Sequence, residues 1–295
     1  MQHDALAPLC AHIPEGEPMT TVLPQRAATV PQSPRRRTST PSPGRRRVIL
    51  HALQGGIVLS ALAAWELGAR SGSISSFLFG SPSAVWNVLY KRAVSGELWS
   101  DIGVTSSEVI LGFLVGAVGG SALGLLLWYS QFVADLTAPF IAAIGSIPVL
   151  AVAPLTIIWF GTEMTSKVVI VAFSCVVVSL TTSYSGARRT DPDLVNLMKS
   201  FGATRSQIFR KLVVPSAMSW VVSGLKLNIG FALVGAIVGE YISSDAGVGH
   251  MILRGSSNFT ITLVIAGIAI VMVMVLVFNI LVAGLERILG RHQKS

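Results

Sequence analysis

The sequence predicts an all-α polytopic membrane protein with six transmembrane helices and a helical cytoplasmic loop between the fourth and fifth. Three observations predict it. Apolar residues make up 52% of the 295-residue chain and charged residues only 12%, whereas a soluble domain carries about 25% charge. Two runs, 168–187 and 261–285, hold no charged residue and reach the ~20 residues that cross a bilayer core. The basic residues gather beside the apolar runs, where the positive-inside rule places them, so the formal charge of +8 does not point to nucleic acid.

Residues 1–47 are rich in Pro, Ser, Thr and Arg, with triplets at Arg35–Arg37 and Arg45–Arg47, and show no apolar periodicity. Such a stretch cannot bury enough surface to offset its ordering entropy, so it reads as a disordered basic cytoplasmic tail. Its arginines serve either as a topology signal or as a contact to anionic lipid. No small-residue cleavage site follows it, which leaves the first span in place. The spans are expected at about 48–69, 104–129, 136–160, 168–187, within 213–241, and 261–285, closing a six-helix domain over 48–290 with a short tail at 291–295. Arg188, Arg189, Lys199, Arg205, Arg210 and Lys211 between spans four and five, with Arg287, Arg291 and Lys294 after the last, put both termini on the cytoplasmic side.

On the outer side, Ser81 caps and Pro82 opens a short helix to about Val94. Gly247 and Gly249 mark a turn into a short re-entrant or surface segment, in which His250 stands alone. Glycines at 112, 116, 119, 120 and 124, and at 230, 235 and 239, allow helices to approach closely. Cys10 lies in the tail and Cys175 inside a span, so no disulfide or metal site joins them.

The long cytoplasmic loop, about 188–215, carries the most information. Asp191–Pro192 starts a helix whose Leu194, Leu197, Met198 and Phe201 recur at helical spacing. Gly202 interrupts it, and a second short helix with Arg205, Ile208, Phe209 and Leu212 runs to Pro215. Such an amphipathic pair must bury its apolar stripe. Lipid, the protein's own spans and a separate cytoplasmic subunit are all open as the partner.

The segment NLMKSFGATRSQIFRKLVVP resembles the cytoplasmic loop of binding-protein-dependent ABC importer permeases, with Gly202, Ile208 and Pro215 in register. Asn196, Leu197 and Met198 occupy the places of that loop's Glu-Ala-Ala triplet. SIPVLAVAPLTIIWFGTEMTSK is similar to the nitrate, sulfonate and taurine class of these permeases, through Pro148, Pro154 and Trp159-Phe160-Gly161. GAIVGEYISSDAGVGHMI matches with Glu240, Gly247 and Gly249. The resemblance covers nearly all of residues 80–290. It implies that the loop is a coupling helix, with Asn196, Met198, Gly202, Ala203, Arg205, Ile208 and Pro215 meeting an ABC ATPase dimer. It also implies a second permease copy, expected as a homodimer, in a bacterial inner membrane, and an extracytoplasmic substrate-binding protein. The chain has no phosphate-binding loop, so ATP and magnesium would be held by the partner ATPase, and no cofactor by this chain.

The same resemblance implies alternating-access import of a small solute, an anion such as nitrate, a sulfonate or taurine. Lys226, Asn228 and Glu240 are candidates along its path. By the helical rise, Lys226 sits ~16 Å into the fifth span, where a charge is expected to have a function, although snorkelling or pairing with an acidic residue is the favoured explanation. Glu108 stands where sulfonate-type members often carry a basic residue, which brings pyrimidine-type vitamin precursors into range. A channel or a secondary transporter is the alternative class. An intramembrane enzyme is disfavoured, because the spans hold no clustered reactive groups.

Overall fold

The computed structural model describes residues 43–291; of the expected tail over 1–47, residues 1–42 lie outside them, as do residues 292–295, while 43–47 are not irregular but form the start of the first helix. Eleven helices can be followed among the described residues. They are α1 (Pro43–Arg70), α2 (Ser76–Phe79), α3 (Pro82–Ser95), α4 (Glu97–Tyr129), α5 (Gln131–Gly145), α6 (Val149–Phe160), α7 (Met164–Arg188), α8 (Pro192–Ser200), α9 (Arg205–Ser243), α10 (Val248–Ser257) and α11 (Ile261–Arg291). The chain divides after Leu53. Residues 49, 50 and 53 are exposed apolar positions of the first part of α1, and the helix bundle is built from residues 54 onward.

Five helices are long and apolar enough to cross a membrane, namely the 52–70 part of α1, α4, α7, α9 and the 261–284 part of α11. The third expected span is not one rod: α5 and α6 meet at 92°. Proline disfavours the helical conformation of the residue before it, and Pro148 sits in extended conformation as the cap of α6. Counted as one broken span, the pair brings the candidate crossings from five to the six expected, with a bend that apolar composition alone does not reveal.

The fifth span departs from expectation in the other direction. No second short helix ends at Pro215; α9 runs unbroken from Arg205 to Ser243 over 39 residues. A proline inside a helix lacks the N–H for its i−4 bond. Here the turn before it, Phe209–Val213, is π-helical, and that wider winding lets the helix continue through Pro215 into the membrane.

The core lies where α7 and α9 cross. Ile170, Val171 and Cys175 on α7 meet Ile229, Ala232, Leu233 and Ala236 on α9, all nearly inaccessible. α11 shows Met272, Leu276 and Ile280 outward, as a lipid-facing helix does.

α4 packs on α7 through glycines. A Cβ at Gly116 would lie 2.3 Å from the Ala172 carbonyl oxygen, one at Gly120 2.4 Å from that of Val176, and one at Gly124 2.2 Å from that of Leu180. In an unbroken α-helix each four-residue step drifts by about 40°. Gly112 and Gly124 would then face directions about 120° apart. The π turn at Leu114–Val118 absorbs about one residue of rotation and keeps all four glycines against α7.

Candidate functional site

The coupling region is built on a rigid joint. The Asp191 carboxylate accepts the Asp193 N–H at 2.8 Å and caps α8. At the other end Ala203 N–H donates to the Met198 carbonyl and Gly202 N–H to that of Lys199, at 3.0 and 2.9 Å. This is the Schellman arrangement, which needs a left-handed residue, and Gly202 supplies it at φ 77°. Thr204 and Gln207 then form a reciprocal capping box at the start of α9. The Thr-x-x-Gln spacing was visible in the sequence and marks where the second helix begins. Gly202→Ala is expected to strain the joint by about 1–2 kcal/mol. Open space surrounds the position, so amide hydrogen exchange should quicken locally over 198–204 without loss of the fold.

α8 carries a wide apolar stripe that the bundle covers only in part. Val195 and Met198 pack with Ala203, Ile208, Phe209 and Leu212 against Trp128, Ala187, Val213 and Ala217. Leu194, Leu197 and Phe201 remain 45%, 52% and 82% exposed on the adjoining half. Asn196 is exposed beside them. One of the partners left open by the sequence is therefore used: the protein's own helices take one half of the stripe, and the other half is exposed.

Arg205, exposed at the start of α9, reaches back to the end of α4. Its guanidinium donates to the Tyr129 carbonyl at the C-terminal end of α4 and lies 5.9 Å from the ring centroids of both Trp128 and Tyr129. A cation suits that end of a helix. Phe209 completes the aromatic group, 4.7 Å from Tyr129. Ile208 is buried at 2% in the same cluster, and Pro215 is exposed on α9.

The three path candidates do not converge. Lys226 Nζ donates to Glu286 Oε2 of α11 at 2.6 Å. Asn228 is fully buried between α7 and α9, where its side-chain amide donates to Ser179 Oγ. Glu240, also fully buried, holds the start of α10: its Oε1 accepts from Thr105 Oγ1 and its Oε2 from Gly249 N–H, both at 2.5 Å. Val248 N–H donates to Thr105 Oγ1 at 2.9 Å and Gly247 N–H to Asp101 Oδ1 at 3.0 Å. Arg92 completes the belt with Asp101 at 2.8 Å and Glu97 at 3.0 Å. Sequence reading missed this belt, because its bonded pairs are separated by up to 146 positions. Glu240→Ala leaves the Gly249 N–H without an acceptor and the Thr105 hydroxyl with only the Asp101 carbonyl, at a cost of about 1–3 kcal/mol. The expected result is a fall in thermal stability that Glu240→Gln, which keeps an acceptor oxygen, partly restores.

Residues 109–294 match the model of the family described as binding-protein-dependent transport system inner membrane component. The chain belongs to that family. It is a permease subunit of an ABC importer, and the pore subunits of this family are not enzymes. The permease is 32% identical to a probable ABC transporter permease of Haemophilus influenzae over 72% of this chain and 86% of that protein. It is 29% identical to a putative aliphatic sulfonates transport permease of Bacillus subtilis over 86% and 91%. Further relatives are named for riboflavin, formylaminopyrimidine and taurine transport. The fold of the permease is shared with an amino acid ABC transporter, at TM-score 0.55 and 20% identity, covering 68% of this chain and 97% of that one. Family members work with an ATPase and a substrate-binding protein. Among the described residues no cluster of metal-ligating side chains occurs.

Proposed function

We propose that the permease forms a homodimer in a bacterial inner membrane with both termini in the cytoplasm, receives cargo from an outer binding protein, and seats α8 in a groove of an ATPase dimer. The observation that carries this is the split stripe of α8. Its packed half, the capping box and the Arg205 anchor fix the helix to α4 and α9, and its open half, Leu194, Leu197 and Phe201, supplies an apolar docking surface. A helix fixed in this way moves the membrane helices when it is itself moved. ATP binding at the ATPase would draw two such helices together and open the spans outward, and hydrolysis would reset them. ATP and magnesium belong to that partner.

The relatives are named for aliphatic sulfonates, taurine, riboflavin and formylaminopyrimidine, and the cargo is a small organic solute closer to the last three. Nitrate and simple sulfonates fit less well, because the lysine expected to attract them is already paired with Glu286. The test is co-expression of the tagged permease with the ATPase of its importer and purification through the tag. Recovery of a two-to-two complex is expected, and a permease that elutes without ATPase refutes the docking role.

A further inference from the structure

Beside the polar belt, where α4 and α7 begin and α9 ends, a cavity of ≈ 620 Å³ opens. Glu108, Glu163, Asp245 and Lys167 are its charged lining, and Ser107 and Ser243 add hydroxyls. Glu108 is 99% buried, since only 1% of it is exposed. Its Oε2 and the Ser243 Oγ have no hydrogen-bond partner among the described residues. Glu108 Oε1 lies 4.0 Å from Lys167 Nζ, which donates to the Thr162 carbonyl at 3.1 Å. Glu240 faces Glu108 from α9, close enough for the two carboxyl groups to share a proton, and its oxygens are also engaged by Thr105 and Gly249. A cation beside Glu108 would take the place of that proton.

Buried acceptors that lack a donor are costly, more so when charged. The lining therefore asks for N–H donors, and its three carboxyl groups against one ammonium ask for positive charge. A protonated amine supplies both, with three donors on a compact cation. A sulfonate or nitrate brings only acceptors and negative charge to a wall already rich in both. We propose that this cavity receives the protonated amine of the cargo, with Glu108 as its counter-ion, so that the imported solute is a small amine-bearing molecule. Lys167, on the same wall, is placed to meet an acidic group if the solute carries one. This deepens the importer reading and rests on it, but its test does not involve the ATPase.

The full-length permease in lipid nanodiscs, carrying Ser107→Cys, is labelled with a neutral maleimide at constant ionic strength, and the labelling of the unsubstituted chain is subtracted. Two probes of matched size compete, ethylammonium and ethanesulfonate. At about 50 mM, ethylammonium is expected to slow labelling at least about fivefold and ethanesulfonate to leave it unchanged. Glu108→Gln in the same chain should abolish the slowing. Should that variant not fold, the charged thiosulfonate reagents give the second measurement. The trimethylammonium-ethyl reagent should then label Ser107→Cys about tenfold faster than the sulfonatoethyl reagent. Equal effects of the two probes, stronger protection by ethanesulfonate, or faster anionic labelling overturns the proposal. A permease that passes this test and fails to bind an ATPase keeps the site and loses the docking role; the reverse keeps the docking role and loses the site.

Discussion

Gly116→Ala is expected to lower the stability of the permease by about 3 kcal/mol or more, near the top of the range for overpacking a close interface. The added methyl would sit 2.3 Å from the Ala172 carbonyl oxygen and 2.6 Å from its Cα. Both are backbone atoms, so no side-chain rotation relieves the clash, and α4 must move away from α7 along its length. In lipid no hydrophobic drive holds two helices together, and close van der Waals packing does much of that work. Separation by even a fraction of an ångström weakens the contacts at Gly120 and Gly124 as well. Gly119→Ala is the control, because no atom lies within 4 Å of its added methyl. It should be neutral, or slightly stabilising through the better helix propensity of alanine. The measurement is the fraction of monodisperse protein left after heating in detergent, read by size-exclusion chromatography. Equal loss in both variants would mean that glycine flexibility, and not close approach, explains the stripe.

The fold class was legible because bilayers impose a length and a composition. Runs such as 261–285 have no other economical reading, and the positions of the lysines and arginines give them an order. Punctuation by proline and glycine was legible too, but its sign was not. Pro148 breaks a span that apolar composition joins, whereas Pro215 leaves intact a helix that the same rule would end. The difference is made by the neighbouring turn: a π-helical turn precedes Pro215, and Pro148 takes a cap position. Gly116 and Gly120 announced close packing without naming α7 as the partner. The belt of Asp101, Thr105 and Glu240 was invisible for a different reason. Asp101 and Thr105 looked like ordinary polar residues near a span end, and Glu240 stood out only by its motif with Gly247 and Gly249; only the return of α10 into the bundle brings backbone N–H groups to all three. Glu108 could be noticed as an acid where similar permeases carry a basic residue, but its neighbour Lys167 stood 59 positions away in another helix.

Phe201→Asp should separate the permease from its ATPase while leaving the permease itself intact. Phe201 is 82% exposed, so in the isolated subunit the change belongs with surface substitutions, which fall within about 0.5 kcal/mol. Its ring closes the open half of the α8 stripe next to Leu197 and Leu194, at the tip of a helix held by the Schellman joint and the capping box. Aromatic side chains at the centre of an interface are typical hot spots, at about 2 kcal/mol or more each. A buried carboxylate in that place adds a desolvation penalty without a partner. Together these predict at least a ~30-fold loss of affinity for the ATPase, read as loss of co-elution and of ATP-dependent uptake in proteoliposomes. Met198→Ala is the contrasting variant. Met198 lies in the packed half of the stripe, so its truncation should lower the stability of the permease alone by about 2 kcal/mol or more. If Phe201→Asp instead destabilises the isolated permease and Met198→Ala does not, the two halves of the stripe have been assigned the wrong way round. If both variants still bind the ATPase at full strength, the docking surface lies elsewhere on the cytoplasmic face.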